Sequence, residues 1–192
     1  LEDFKEKARV LKDGCFLVEV LSAENENNYE YLYQIKQYAK EAGFVYYSKV
    51  PWKKGTFISN TGRKAKNTQD IMIFSKGKAR NMRLDKKKTN KTGEVHYMSG
   101  CNGMLPTMFD VQTVSKKNRI HQSELPVELC EEILEYVTYE GEIVLDSFAG
   151  SGAVGVAALN KKRSCILIEI MKENIEKIRT RFNSVLYQMV LE

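Results

Sequence analysis

The sequence predicts an α/β fold: a doubly wound sheet assembled in a permuted order, with a small loop-rich insert, in one domain over residues 1–192. Three observations carry that prediction. Ile143 to Glu169 reads as an apolar strand ending in Asp146, a small-residue turn, a helix from near Ala153 and a second apolar strand closing on Glu169. Cys15 to Leu21 is a nearly continuous apolar run of strand length, the pattern of a strand buried on both faces of a parallel sheet. Tyr29 to Ala42 then repeats apolar residues at helical spacing before the next strand. The strand-turn-helix unit lies near the end of the chain with only one strand after its helix. The remaining strands must come from upstream, which is a permuted order.

In chain order, Leu1 to Leu11 mixes acids and lysines with Phe4, Ala8 and Val10 and reads as a helix end, broken by Lys12-Asp13-Gly14. After the first strand, the acidic, Asn-rich Ala23 to Asn28 is a loop. The helix that follows has Tyr31, Leu32, Ile35, Tyr38, Ala39 and Ala42 as its apolar stripe, its tyrosines read as core packing, and Gly43 ends it. Phe44 to Val50 and Asp70 to Ser75 are strands. Between them, Pro51 to Asn67 sets Trp52 and one Phe among five cations, including Lys53. Such a loop at a sheet edge suits base stacking and phosphate contacts; Trp52 fits equally well as a cap on the core. Lys78 to Ile120 has weak periodicity and reads as an insert with at most short strands. Ser123 is a plausible N-cap and Pro126 suits the first turn of a helix with the stripe Leu129, Ile133, Leu134 and Val137, ending near Gly141. Lys172 to Leu191 closes the chain as an amphipathic helix.

Composition narrows the function. An apolar fraction of 43% with ten Tyr and eight Phe belongs to a folded globule. The four cysteines form no CxxC pair and there are two histidines, which argues against a zinc site or a disulfide framework and for a reducing compartment. The longest apolar runs are strand-sized, so neither a membrane partner nor a metal is expected. The net charge is +5, unevenly placed: residues 78–120 hold ten Lys/Arg, among them Arg83, Lys86, Lys87 and Lys88, against three acids. A basic block in an otherwise slightly acidic chain points to a polyanion, or else to a lysine-rich solvated loop.

Gly150-Ser151-Gly152-Ala153-Val154-Gly155 with Glu169 downstream matches the bare GxGxxG pattern of a dinucleotide site. Its surroundings argue against one. Asp146 stands at the strand tip, with three residues before the first glycine, and its carboxylate would repel a pyrophosphate. A ligand with a cationic amino group at one end and a ribose diol at the other satisfies both acids. S-adenosylmethionine is such a ligand, its ammonium near Asp146 and its ribose near Glu169.

His121-Gln-Ser-Glu-Leu-Pro, Ile143-Val-Leu-Asp-Ser-Phe-Ala-Gly-Ser-Gly and Ile166-Leu-Ile-Glu-Ile closely resemble the cofactor half of the permuted (β-type) DNA amino-methyltransferases, which have a Rossmann-like sheet. Upstream, Leu11-Lys-Asp-Gly-Cys-Phe-Leu-Val, Ala42-Gly-Phe, Val50-Pro-Trp-Lys and Asp70-Ile-Met-Ile-Phe-Ser-Lys-Gly resemble later motifs of that family's catalytic half. The resemblance implies that Phe148, Ala149, Gly150, Ser151 and Gly152 line the cofactor, that Glu169 holds its ribose and that Ser123 helps place its carboxylate. It also implies that residues 78–120 are a target-recognition insert for double-stranded DNA. Gln122 and Leu125 stand where the family usually has Pro and Lys, and Ser147 replaces Pro.

The activity implied is transfer of a methyl group to the exocyclic nitrogen of adenine (N6) or cytosine (N4), in a bacterial or phage restriction-modification setting and in the cytoplasm. An RNA methyltransferase and a non-catalytic nucleic-acid-binding module are the alternatives. The family's (Asp/Asn/Ser)-Pro-Pro-aromatic tetrapeptide does not occur, since Pro51, Pro106 and Pro126 are isolated. The chain is therefore expected to be a C-terminal part, inactive alone. A gap is expected in mid-sheet, filled by an upstream segment or a second chain.

Overall fold

The computed structural model describes residues 1–55, 67–83, 87–97, 104–115, 117, 119 and 123–191. Among the described residues the elements follow in the order α1 (Glu2–Val10), β1 (Phe16–Ser22), α2 (Tyr29–Glu41), β2 (Phe44–Lys53), β3 (Thr68–Lys76), β4 (Lys87–Thr89), β5 (Val95–Tyr97), β6 (Phe109–Asp110), α3 (Val127–Val137), β7 (Ile143–Asp146), α4 (Ala153–Asn160), β8 (Ser164–Leu167) and α5 (Lys172–Leu191).

The α/β class holds. The expected surroundings of the first strand do not: β1 pairs antiparallel with β3, and β3 pairs antiparallel with β2, in the order β1-β3-β2-β6. β1 and β2 run the same way and are joined by α2, as in a parallel crossover. The later strand β3 has slipped between them, a long-range pairing that the apolar run of β1 cannot announce. A register shift between Tyr46 and Ser48 bends β2 and lets Tyr47 pack edge-on against Phe16 at 5.3 Å.

β3 is the centre of the molecule. Ile71 and Ile73 point into one cluster with Phe16, Val50, Trp52, Phe109, Leu129, Ile133 and Val137. Met72 and Phe74 point into a second, with Phe4 of α1 and Leu32, Ile35 and Ala39 of α2. The alternation is what a strand covered on both faces requires. Tyr31 and Tyr38 of α2 are exposed, so the expected tyrosine packing is corrected: only the aliphatic positions of that stripe face the sheet.

α3 is the hinge of the design. Its first residue is Val127, with Pro126 at the N-cap, so Ser123 lies ahead of the helix and not at its cap. One side of α3 gives Leu129, Ile133 and Val137 to the β3 core, and the other gives Cys130 and Leu134 to a small-residue cluster with Ala153, Ala157 and Ala158 of α4. Arg80 binds the Glu142 carboxylate with both terminal nitrogens and donates to the Val137 carbonyl at 3.0 Å, stitching the end of β3 to the approach of β7. β7 and β8 form a separate parallel pair, Asp146 opposite Leu167.

Within residues 78–120, β4 and β5 form a short antiparallel ribbon and β6 joins β2. Met82, Phe109 and Val111 are buried in the main core, so the two ends of this region belong to the globule.

Candidate functional site

The tip of β7, the turn after it, the start of α4 and the tip of β8 converge. Parallel pairing puts Asp146 and the end of β8 side by side, and the ladder continues past both strands: Ile168 donates to the Asp146 carbonyl and Ala149 to the Ile168 carbonyl, each at 2.9 Å. The turn is thus sewn to the second strand. Gly150 and Gly152 adopt φ of 51° and 75°, the left-handed region where a side chain is strained. A Cβ on Gly155, inside α4, would sit 2.5 Å from the Phe182 ring and 2.8 Å from Leu167, so this glycine lets α4 lie close to α5 and β8.

Two carboxylates face this mouth. Asp146 accepts from the Phe148 N–H at 3.1 Å. Burial pushes its carboxyl above the ordinary range, against the opposing pull of that N–H and of the Lys7 ammonium, and the negative charge of Glu169 pushes it further up. Glu169 is tied by backbone: its Oε1 accepts from Met171 and its Oε2 from Gly150, both at 2.8 Å, and Asn174 bonds it as well. Those donors, Met171 first, hold it below the usual carboxylate range. The Ile170 N–H faces the same carboxylate. Phe148, two residues beyond Asp146, is 74% exposed, with Lys7 of α1 5.4 Å from its ring centre. Ala149 and Ser151 are buried beneath it.

The two carboxylates fit a ligand that carries a cation at one end and a diol at the other. A cation near Asp146 would relieve the mutual repulsion of two acids in a partly desolvated cleft. Glu169, held ionised and oriented by its N–H donors, is a fixed anion to which a ribose hydroxyl can donate. The structure therefore brings together Asp146, Phe148, Ala149, Gly150, Ser151, Gly152 and Glu169. Ser123 is exposed, one residue from Glu124, which reaches this turn through Arg181.

The residues expected on DNA are more dispersed. Trp52 is 2% exposed, its ring in the main core and its indole N–H donating to the Val111 carbonyl at 2.8 Å. Its placement is that of a core cap and corrects the stacking reading: a ring buried in the main core cannot reach a base. Lys53 is half-buried and pairs with Asp110 of β6 at 2.7 Å. Arg83 lies over the Tyr136 ring at 4.5 Å with Glu135 at 3.9 Å, folded onto α3. Lys87 and Lys88 are backbone partners of Tyr97 and His96 in the ribbon, and Lys86 lies outside the described residues. No group of three or more metal-ligating side chains, and no helix long and apolar enough to cross a membrane, occurs among the described residues.

Sequence reasoning missed Lys7, Glu124 and Arg181. Arg181 had a visible signal: it sits between Ile178 and Phe182, the two α5 side chains that meet the glycines, so a charge interrupts a buried stripe.

Comparison with known proteins adds to this geometry. A family model described as DNA methylase, N6/N4 type, matches residues 2–180. The chain is 30% identical over 158 residues to the Type II methyltransferase M.HpaI of Haemophilus parainfluenzae, covering 80% of this chain and 50% of that protein. It is 28% identical over 141 residues to the Type II methyltransferase M.BglI of Bacillus subtilis, covering 70% and 38%. The chain thus spans half or less of the length of these two relatives. Among solved structures it is similar in fold to an M1.HpyAVI–SAM complex, with a TM-score of 0.73 and 24% identity over 95% of this chain and 81% of the other. It also resembles the cytosine-N4-specific PvuII DNA methyltransferase, with a TM-score of 0.64 and 17% identity over 95% and 74%.

Proposed function

This chain belongs to the N6/N4 DNA methylase family, and we propose that it forms the S-adenosylmethionine-binding and DNA-contacting part of an enzyme that methylates the exocyclic amino group of adenine or cytosine. The observation that carries the reading is the pairing of Asp146 and Glu169 across one sewn glycine turn. The cofactor supplies the methyl group when bound. The chain's residues bind and orient it: Asp146 takes the ammonium, Glu169 the ribose hydroxyls, and Phe148, Ala149, Gly150, Ser151 and Gly152 shape the wall, with Ser123 at the carboxylate. The similarity to Type II methyltransferases supports a restriction-modification role, and with it a cytoplasmic site of action in a bacterium or phage.

On the DNA side, Lys53 and the β4–β5 ribbon with Lys86, Lys87 and Lys88 are assigned to phosphates, and 78–120 to target recognition. Arg83 is assigned a supporting role through α3.

The catalytic tetrapeptide is assigned to a further polypeptide segment, upstream or on a second chain. Two features support it. β7 pairs with β8 alone and β1 with β3 alone among the described residues, and Ile143, Leu145, Ile166 and Ile168 leave one face of the β7–β8 pair exposed. A strand and a covering element at that face would bury both. The 192-residue chain alone is then expected to bind cofactor without turnover.

Radiolabelled methyl transfer to duplex DNA, with the intact protein and with the 192-residue chain, tests the assignment. Transfer by the intact protein to an adenine or cytosine amino group supports it. Transfer to RNA alone, or DNA binding without transfer, would replace it, and turnover by the short chain would remove the need for the added segment.

A further inference from the structure

One face of α5 meets the second half of the turn, the start of α4 and the tip of β8. Asn174 bonds Glu169, Ile178 lies 3.2 Å from where a Gly152 Cβ would stand, and the Phe182 ring closes on Gly155. Arg181 completes the face. Its Nη1 donates to the Glu124 carboxylate at 2.8 Å and to the Ser151 carbonyl at 3.0 Å. A terminal guanidinium nitrogen carries two N–H groups, so both bonds are made by one atom. The Glu124 carboxylate is 2% exposed and Arg181 18%, so water competes little for either. The partners come from three places far apart in sequence: the segment before α3, the glycine turn and the closing helix.

We propose that Arg181 is a positioning residue for the cofactor turn, one nitrogen tying the Ser151 carbonyl to Glu124 so that the turn and the Ser123 segment form a single pre-set wall. The inference rests on the cofactor reading above and deepens it. Ser151 stands between Gly150 and Gly152, two glycines with left-handed backbone, where the chain has the most freedom to lose. A carbonyl pinned there keeps the neighbouring N–H groups aimed before the ligand arrives, so binding does not have to order them. Glu124 fixes the guanidinium. Without the carboxylate, Arg181 retains the Ser151 bond but loses its orientation; without Arg181, a buried carboxylate is left beside the cofactor site.

Two readouts on the intact protein test this: amide hydrogen exchange across residues 149–153 without ligand, and calorimetric titration with S-adenosylmethionine. Arg181→Met is expected to accelerate exchange in the turn and weaken binding about tenfold, the cost of one charge-assisted hydrogen bond. Arg181→Lys, whose ammonium can still reach one partner, is expected to recover part of both. Because Arg181→Met removes the cation beside a buried carboxylate, Glu124→Gln/Arg181→Met serves as its neutral counterpart. It is expected to melt near the wild type while keeping the fast exchange and the weak binding. Wild-type exchange in the turn of that folded double variant overturns the proposal, and so does wild-type affinity. The exchange arm needs no cofactor, so it judges the clamp even where wild-type protein binds none, an outcome that would count against the cofactor reading alone.

Discussion

β3 and β7 both pack against α3, yet they are held in opposite ways. Along β3, Ile71 and Ile73 are sealed against α3 while Met72 and Phe74 are sealed against α1 and α2. Along β7, only Val144 meets the helices, whereas Ile143 is 65% and Leu145 42% exposed. The β3 half carries its own core. The β7 half carries the site, and borrows its rigidity from α3, from α5 and from the Arg80–Glu142 pair. A binding mouth needs an open strand tip and an unobstructed turn, so the half that binds is the half least able to stabilise itself.

The sharpest way to break this contrast is matched truncation. Ile73→Ala is expected to cost about 2–5 kcal/mol in urea unfolding, and Leu145→Ala no more than about 0.5 kcal/mol in the 192-residue chain. Equal losses would mean that β7 is covered after all. Next comes Gly155→Ala, where a new methyl would meet Phe182 and Leu167; the expected loss is about 1–3 kcal/mol, relieved by adding Phe182→Leu. If Phe182→Leu gives no relief, α5 does not press on α4.

A smaller effect is expected at Glu142. Its carboxyl is partly buried, which alone would raise its pKa, but the Arg80 guanidinium and the Tyr139 N–H hold it below the ordinary value of 4.5. A depressed folded pKa gives stability that is present above 4.5 and lost as pH falls through the folded value. Arg80→Met should remove about 1 kcal/mol at neutral pH and flatten that acid limb, measured by thermal melts across the range. The smallest effect is chemical. Burial, with Asp146 nearby, pushes the Cys130 thiol up to about 12, so a thiol-alkylating reagent should leave it untouched in native protein and label it on unfolding.

The legibility of the chain follows the same divide. The site was readable because it is local: an apolar strand, an acid at its tip, small residues in the turn and a second strand fall within 27 consecutive positions, Ile143 to Glu169. The closing helix was readable from its stripe, with observed bounds Lys172–Leu191. The β1-β3-β2 order was not, because an antiparallel strand inserted between two parallel ones leaves no mark on any single segment. Trp52 and the α2 tyrosines misled in opposite directions, since an amphipathic ring suits a wet surface and a core cap equally and only neighbours decide. Arg181 and Glu124 lie 57 residues apart, and a pair that distant is invisible until the chain is folded.

The central claim is that the β7–α4 turn binds S-adenosylmethionine through Asp146 and Glu169, and calorimetric titration across pH with wild type and Asp146→Asn tests it most directly. Burial raises the Asp146 carboxyl above its ordinary 3.8, so folding is favoured while it is protonated and loses that advantage as pH rises through the raised value. Asp146→Asn should therefore be at least as stable as wild type at neutral pH. An ammonium ligand needs the ionised form, so wild-type affinity should climb as Asp146 loses its proton and then level. The Asn variant should bind roughly tenfold more weakly, with no such climb. An Asn variant that binds as tightly as wild type with the same pH profile, or a wild type that binds no S-adenosylmethionine at any pH, would contradict the claim.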